Sequence, residues 1–213
     1  MNTLKINEIF YSIQGESIRC GLPTVFVRLT GCPLRCHYCD TAYAFHQGQR
    51  QSIESIIETI QHYPTQTVCV TGGEPLAQPA VLTLITQLCD LGYAVSIETS
   101  GAMDISTLDT RTMIIMDLKT PDSGEVDRNK WENIAHLKAL DQLKIVICSE
   151  FDFQWACEQI KRYNLPSGIE WLFSPMTPGI NPTQLAQWIL DSGLPIRLQL
   201  QIHKILWHDT PGH

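Results

Sequence analysis

Long apolar runs are missing from this sequence, and none approaches the ~20 residues that a membrane-spanning helix needs. The first residues, MNTLKINEIFYSIQGE, hold neither an apolar signal core nor a small-residue cleavage site. A cytoplasmic protein with no membrane partner is therefore expected. Positive charge is also scarce: Lys and Arg total 15 against 22 Asp and Glu, a net charge of −7. Such a chain matches a phosphate backbone poorly, so no nucleic-acid partner is expected. Low-complexity stretches, charge blocks and Ser/Gly linkers are absent too. With 44% hydrophobic and 17% charged residues, the chain excludes disorder as its dominant state. The 213 residues are expected to form one domain, 1–213, short of the ~250 residues of a complete eight-fold β/α barrel.

Cysteine, by contrast, is plentiful. Eight are present, and three of them, Cys32, Cys36 and Cys39, crowd into one short segment. Cys20, Cys69, Cys89, Cys148 and Cys157 are scattered, mostly within apolar runs such as TVCV and KIVIC. A disulfide scaffold would be shorter and denser in cysteine. The trio suggests metal or cluster ligation, and the scattered five suggest buried small hydrophobes.

Short β-rich runs alternate with helical periods along the chain. Strands are expected at 24–29, 67–71, 94–99, 112–118, 142–148, 169–173 and 196–202, each rich in Val, Ile or aromatics. Several look apolar on both faces, as parallel strands covered by helices do. Ile53, Ile56, Ile57 and Ile60 recur at helical spacing, as do Val81, Leu84, Ile85 and Leu88, and Phe153, Ala156, Cys157 and Ile160. Asn181-Pro182 has the form of an N-cap and first helical residue, and a weaker helical signal runs from Trp131 to Leu140. Alternating strands and helices imply right-handed βαβ units. The fold class is α/β, an incomplete (β/α) barrel of about six or seven mainly parallel strands. A flat doubly wound sheet is the alternative. In both, ligands bind at the carboxyl ends of strands. Those ends carry GCPLRCHYCDT, GGEP, ETSG, DLKTP, SPMTP and HK.

Cys32, Cys36 and Cys39 form a C-x3-C-x2-C loop. Three thiolates on such a loop can hold three irons of a [4Fe–4S] cubane and leave the fourth open. Zinc with His37 or His46 as a fourth ligand, or a C-x-x-C redox pair, are the other readings. Gly72-Gly73-Glu74-Pro75 follows the second expected strand. Its glycines permit close approach of a ligand to the backbone, and its carboxylate can accept from an ammonium group.

The cysteine loop and GGEP together resemble the radical S-adenosylmethionine (SAM) superfamily. The segments around them narrow the likeness. Glu8-Ile-Phe-Tyr-Ser-Ile13-Gln14-Gly15-Glu16, Phe26-Val-Arg28-Leu-Thr-Gly31-Cys32, Cys39-Asp40-Thr41, Thr71 to Pro75, Glu98 to Gly101, Asp117-Leu-Lys119 and His203-Lys204 resemble the 7-carboxy-7-deazaguanine synthase family. That family belongs to queuosine and other 7-deazapurine biosynthesis. The likeness spans nearly the whole chain. It departs at Ser17, at His37-Tyr38 in place of a commoner Trp, at Ser174-Pro175 where many members have Gln-Pro, and in the tail after Lys204.

The resemblance implies a carbon–nitrogen lyase that converts 6-carboxy-5,6,7,8-tetrahydropterin to 7-carboxy-7-deazaguanine through a 5′-deoxyadenosyl radical. Its cofactors would be a [4Fe–4S] cluster on Cys32, Cys36 and Cys39, SAM, and Mg2+ at Thr41. It assigns SAM contacts to Tyr38, Gly73, Glu98, Ser100, Lys119, Thr120 and Pro121. Pterin contacts fall to Ile13, Gln14, Gly15, Glu16, Arg28, Thr71, His203 and Lys204. A flavodoxin or ferredoxin reductant and a homodimer complete the expectation. A guanidinium such as Arg28 can pair bidentately with the pterin carboxylate. The competing activity is a glycyl-radical enzyme activase, also short and also C-x3-C-x2-C.

Overall fold

The computed structural model describes residues 2–163, 165–208, 210 and 212; of the divergent tail, Asp209, Pro211 and His213 lie outside the described residues. Nine strands form one sheet: β1 (Thr3–Ile13), β2 (Pro23–Leu29), β3 (Gln49–Ser52), β4 (Thr67–Gly72), β5 (Ala94–Thr99), β6 (Met113–Asp117), β7 (Gln142–Ile147), β8 (Glu170–Pro175) and β9 (Ile196–Leu198). Their order is β3-β1-β2-β4-β5-β6-β7-β8-β9. From β2 through β9 every neighbouring pair is parallel, which gives the incomplete barrel expected from the alternation. β1 and β3 are antiparallel additions at the β2 edge. They escape the sequence reading because β1 mixes Lys5, Asn7 and Glu8 with its apolar residues and β3 is QRQS.

Helices α1 (Ile53–Gln61), α2 (Val81–Asp90), α3 (Glu150–Arg162) and α4 (Pro182–Ser192) cover the outer face, and the short α5 (Ile202–Trp207) borders the cavity. Ser52 caps α1 by accepting from Ser55 N at 3.2 Å, Ser149 caps α3 through Asp152 N, and Asn181 caps α4 through Thr183 N. Acidic Glu150 and Asp152 open α3 while Lys161 and Arg162 close it, matching the helix dipole. The weak helical signal at Trp131 resolves into a 3-10 turn, Trp131–His136.

Strand periodicity separates packing from chemistry. Val25, Val27, Leu29, Val68, Val70, Val95, Ile97, Ile114, Met116, Ile145, Ile147, Trp171 and Phe173 join the helices in the core. The alternate positions line an interior cavity: Arg28, Thr71, Glu98, Asp117, Lys144 and Ser174. Side chains one residue apart face opposite sides of a strand, so this split follows directly. Phe26, Cys69, Ile115 and Leu172 are buried at the same alternate positions, so several strands are apolar on both faces as expected, and the polar residues are added among them.

Two further corrections concern the cysteines and the last strand. Cys69, Cys89 and Cys157 are buried as expected, but Cys20 is exposed and Cys148 only half-buried. β9 ends at Leu198 rather than at residue 202. There the chain leaves the sheet: Gln199 N donates to Phe173 O at 2.8 Å, and Ile202 N donates to Gly15 O at 3.2 Å. His203 and Lys204 therefore lie on α5, not at a strand end.

Phe173 is fully buried and meets the Phe153 ring edge-on, with centroids 5.9 Å apart. Truncation to alanine is expected to cost about 3–5 kcal/mol, seen as a lower urea midpoint of unfolding.

Candidate active site

The cysteine loop leaves the end of β2 and is seated on the turn after β4. Gly73 N donates to Leu29 O at 3.1 Å, and Glu74 N donates to Gly31 O at 2.8 Å. A Cβ on Gly73 would stand 2.3 Å from Gly31 O and 2.9 Å from Cys32 Cβ, so only glycine fits. On its other side Arg35 N donates to Glu125 Oε1 at 2.5 Å and His37 N donates to Ser123 O at 3.0 Å. Cys32, Cys36 and Cys39 are free, half-buried and line the interior cavity. Three thiols on one loop supply three ligands of a [4Fe–4S] cluster, one short of the four that a structural zinc site takes. Burial pushes all three thiols above the ordinary cysteine pKa, and the Lys119 ammonium works against it.

Glu74 has a different place from the one its exposure in sequence suggested. It is fully buried and absent from the cavity wall. Its carboxylate accepts from Leu76 N at 2.9 Å, Thr99 Oγ1 at 2.9 Å, Ser100 N at 2.7 Å and Ser100 Oγ at 2.5 Å. Those bonds tie the β4 turn to the β5 end and consume the acceptor that might have met an ammonium group. Four donors thus face one acceptor-only side chain.

The other end of the cavity is reached unexpectedly. β1 is antiparallel to β2, and Ile13 pairs with Pro23 at the start of β2, opposite the cysteine loop. Yet Ile13, Gln14, Gly15 and Glu16 line the same cavity as the thiols. The pocket therefore runs from the strand ends down the barrel interior. Gln14 and Glu16 are buried, and Gln14 Nε2 has no partner among the described residues. Glu16 forms an ion pair with Lys144 and accepts from Gln201 Nε2 at 2.7 Å. Gly15 gives the His203 ring its place: a Cβ there would lie 2.0 Å from His203 Nδ1, and the ring would have to shift. Burial lowers the His203 pKa, which favours its neutral form.

Arg28 Nε donates to Glu8 Oε1 at 2.7 Å, and Tyr43 OH donates to the same oxygen at 2.8 Å. The guanidinium also lies over the Phe10 and Tyr43 rings, 5.6 and 5.8 Å from their centroids. Arg28 lines the cavity, and its terminal nitrogens donate to no protein group among the described residues. Thr71 Oγ1 donates to Glu98 Oε2 at 3.0 Å. Burial, followed by the nearby Glu16 charge, raises the Glu98 pKa.

At the upper rim Lys119 Nζ pairs with Asp117 Oδ2 at 2.6 Å and stands 5.8 Å from the Tyr38 ring centroid. The Tyr38 hydroxyl is buried and unpartnered among the described residues. Lys204 Nζ pairs with Asp40 Oδ2 at 3.0 Å, and Thr41 Oγ1 donates to Asp40 Oδ1 at 2.8 Å. The cavity wall thus gathers Ile13, Gln14, Gly15, Glu16, Arg28, Cys32, Cys36, Tyr38, Cys39, Thr41, Thr71, Gly73, Glu98, Ser100, Lys119, His203 and Lys204. Thr120 and Pro121 stand outside it: Thr120 is buried, with Oγ1 3.5 Å from Val146 O, and Pro121 opens the turn Pro121–Ser123. Sequence reasoning assigned no role to Lys144 or Gln201. For Lys144 a signal existed, a cation inside the apolar run QLKIVIC.

Glu74→Gln is expected to leave at least one donor unpaired, at about 1–3 kcal/mol for each. Circular dichroism should record a lower thermal midpoint, with the loss greater than for Gln substitution of an exposed glutamate.

The model of the radical SAM superfamily matches residues 26–190. The 7-carboxy-7-deazaguanine synthase of Chlorobaculum tepidum is 40% identical over 210 residues, covering 96% of this chain and 94% of the relative. That of Thermoplasma acidophilum is 36% identical over 209 residues, covering 97% and 99%. The crystal structure of QueE from Escherichia coli superposes with a TM-score of 0.75 at 22% identity, covering 93% of this chain and 95% of the other, a likeness of fold. A three-thiol loop seated on a glycine turn inside an open α/β barrel, with full-length relatives of one kind, places the chain in the radical SAM superfamily and in its 7-carboxy-7-deazaguanine synthase family.

Proposed function

We propose that this chain converts 6-carboxy-5,6,7,8-tetrahydropterin to 7-carboxy-7-deazaguanine with loss of ammonia, in queuosine or other 7-deazapurine biosynthesis. The observation that carries the reading is one cavity with three thiols at its mouth and Gln14, Glu16 and Arg28 within it. Full-length relatives bearing the synthase name support the same assignment over an activase, whose substrate would be a protein.

A [4Fe–4S] cluster and SAM, when bound, supply a 5′-deoxyadenosyl radical able to remove hydrogen from C6 of the pterin. Cys32, Cys36 and Cys39 would hold three irons. Gly73 offers the methionine end of SAM a bare backbone, and Tyr38 an aromatic face for the adenine. Glu98, Ser100 and Lys119 would contact the ribose and carboxylate, with Thr120 and Pro121 behind them. Ser100 serves mainly as a fixed strand end, since its N–H and hydroxyl are committed to Glu74. Arg28 pairs with the pterin carboxylate through its terminal nitrogens. Gln14, Glu16 and the backbone at Ile13 and Gly15 match the amide edge of the ring, Thr71 adds a hydroxyl, and His203 and Lys204 close the site from α5. Buried Phe26 and half-buried Phe10 and Arg28 would shield a planar ring from water.

Thr41 would bind Mg2+, which needs few protein ligands because it keeps several waters. Its hydroxyl donates to Asp40, so its lone pairs remain available to a cation. A flavodoxin or ferredoxin would deliver the electron to a homodimer acting as one-domain protomers in the cytoplasm. No helix among the described residues is long and apolar enough to cross a membrane.

The test is anaerobic reconstitution with iron and sulfide, reduction, then SAM with the carboxytetrahydropterin. Formation of 7-carboxy-7-deazaguanine, abolished in Cys36→Ala, is the expected result. SAM cleavage without that product would sink the pterin assignment. Arg28→Ala should raise KM for the pterin about 10–100-fold, the loss of a charge-assisted bond worth about 1.5–3 kcal/mol.

A further inference from the structure

Lys144 is the charged group for which the proposed reaction has not yet provided a task. It sits inside β7, with its side chain 14% exposed and directed into the cavity. A cation in that position is costly unless it is paired. Its register partner on β6 is Asp117, but that carboxylate is engaged by Lys119 at 2.6 Å. The direct partner of Lys144 is Glu16, which arrives from the opposite end of the barrel on the loop after β1. Glu98 of β5 adds a second carboxyl to the same cavity wall.

We propose that Lys144 is a positioning residue for substrate recognition, holding the Glu16 side chain as an acceptor aimed at the N–H edge of the pterin. The inference rests on the pterin reading above.

Through its ion pair Lys144 sets the direction of the Glu16 carboxylate, whose oxygens can accept from the amino and ring N–H groups of a pterin. Gln201 Nε2 fixes the other oxygen at 2.7 Å. Glu16 is thereby held from β7 on one side and from the lead into α5 on the other. Burial opposes the Lys144 charge, but Glu16, Asp117 and Glu98 outweigh it and raise its pKa, so the ammonium persists.

The experiment is steady-state kinetics on the reconstituted full-length enzyme with Lys144→Met, Lys144→Gln, Lys144→Arg, Glu16→Gln and the double variant K144M/E16Q. Iron content and SAM binding should match wild type in all five. Lys144→Met should raise KM for the pterin about 10–100-fold with kcat within about 3-fold, the signature of lost binding rather than lost chemistry. Lys144→Arg should recover most of the loss, because it restores the charge. The double variant should be no worse than Glu16→Gln, because Lys144 acts through Glu16. Lys144→Gln carries the test should the methionine variant not fold, and calorimetric titration of the pterin into cluster-free protein should show the same weakening. An unchanged KM, or losses that multiply in the double variant, would overturn the inference. Wild-type enzyme that yields no 7-carboxy-7-deazaguanine would instead overturn the pterin reading.

Discussion

Charge placed inside an open barrel has to be neutralised where it stands, and that requirement organises this molecule. The inner face carries Arg28 on β2 and Glu98, Asp117 and Lys144 on the successive strands β5, β6 and β7, where isolated ions would be costly. Three ion pairs join separate elements, one between the consecutive strands β1 and β2 and two between elements far apart in sequence. Arg28 meets Glu8 on β1, Lys144 meets Glu16 beyond β1, and Lys204 meets Asp40 in the cysteine loop. Each pair joins a barrel strand or the cysteine loop to a segment outside the βαβ repeat. The antiparallel β1 and the short α5 are held on the barrel by the charges that line its cavity, together with backbone pairing.

The same economy of partners shapes the cysteine loop. A loop carrying three thiols and few apolar side chains has little to pack. It is fixed instead by backbone bonds from Gly73 N to Leu29 O, from Glu74 N to Gly31 O and from His37 N to Ser123 O, and by the clearance that Gly73 leaves. Glu74 gives that turn rigidity from beneath by collecting donors from Leu76, Thr99 and Ser100. A residue that looked suited to grip a ligand is the joint between two strand ends. The chemistry at the mouth therefore depends on a buried carboxylate that does not line the cavity.

The pocket has two functional ends because β1 runs backwards. A parallel first strand would have delivered Gln14 and Glu16 to the same rim as the thiols. Running antiparallel, it delivers them to the start of β2, and the cavity spans the barrel interior between the two. Arg28, Thr71 and Glu98 then lie between the mouth and the floor, where a planar substrate would meet all three. α5 seals the side, its His203 ring against Gly15 and its Lys204 against Asp40.

Much of this was legible in the residues themselves. The periodicity of Val and Ile fixed seven parallel strands and four covering helices, because burial of one face repeats at the spacing of the element. The cysteine spacing, GGEP and the strand-end residues located one site, since ligands of open α/β sheets gather at strand termini. Sequence could not place β1, whose pairing direction depends on a partner reached only after folding. Nor could it end β9 at Leu198, because the Ile202-to-Gly15 bond competing with the ladder is a tertiary contact. It separated neither Glu74 from the ligand wall nor Lys144 from the apolar run around it. The sequence by itself determined which residue types are present and how they repeat. Only the tertiary structure decided which buried charges face each other, because ion pairing in a dry interior depends on distances between strands that sequence order does not set.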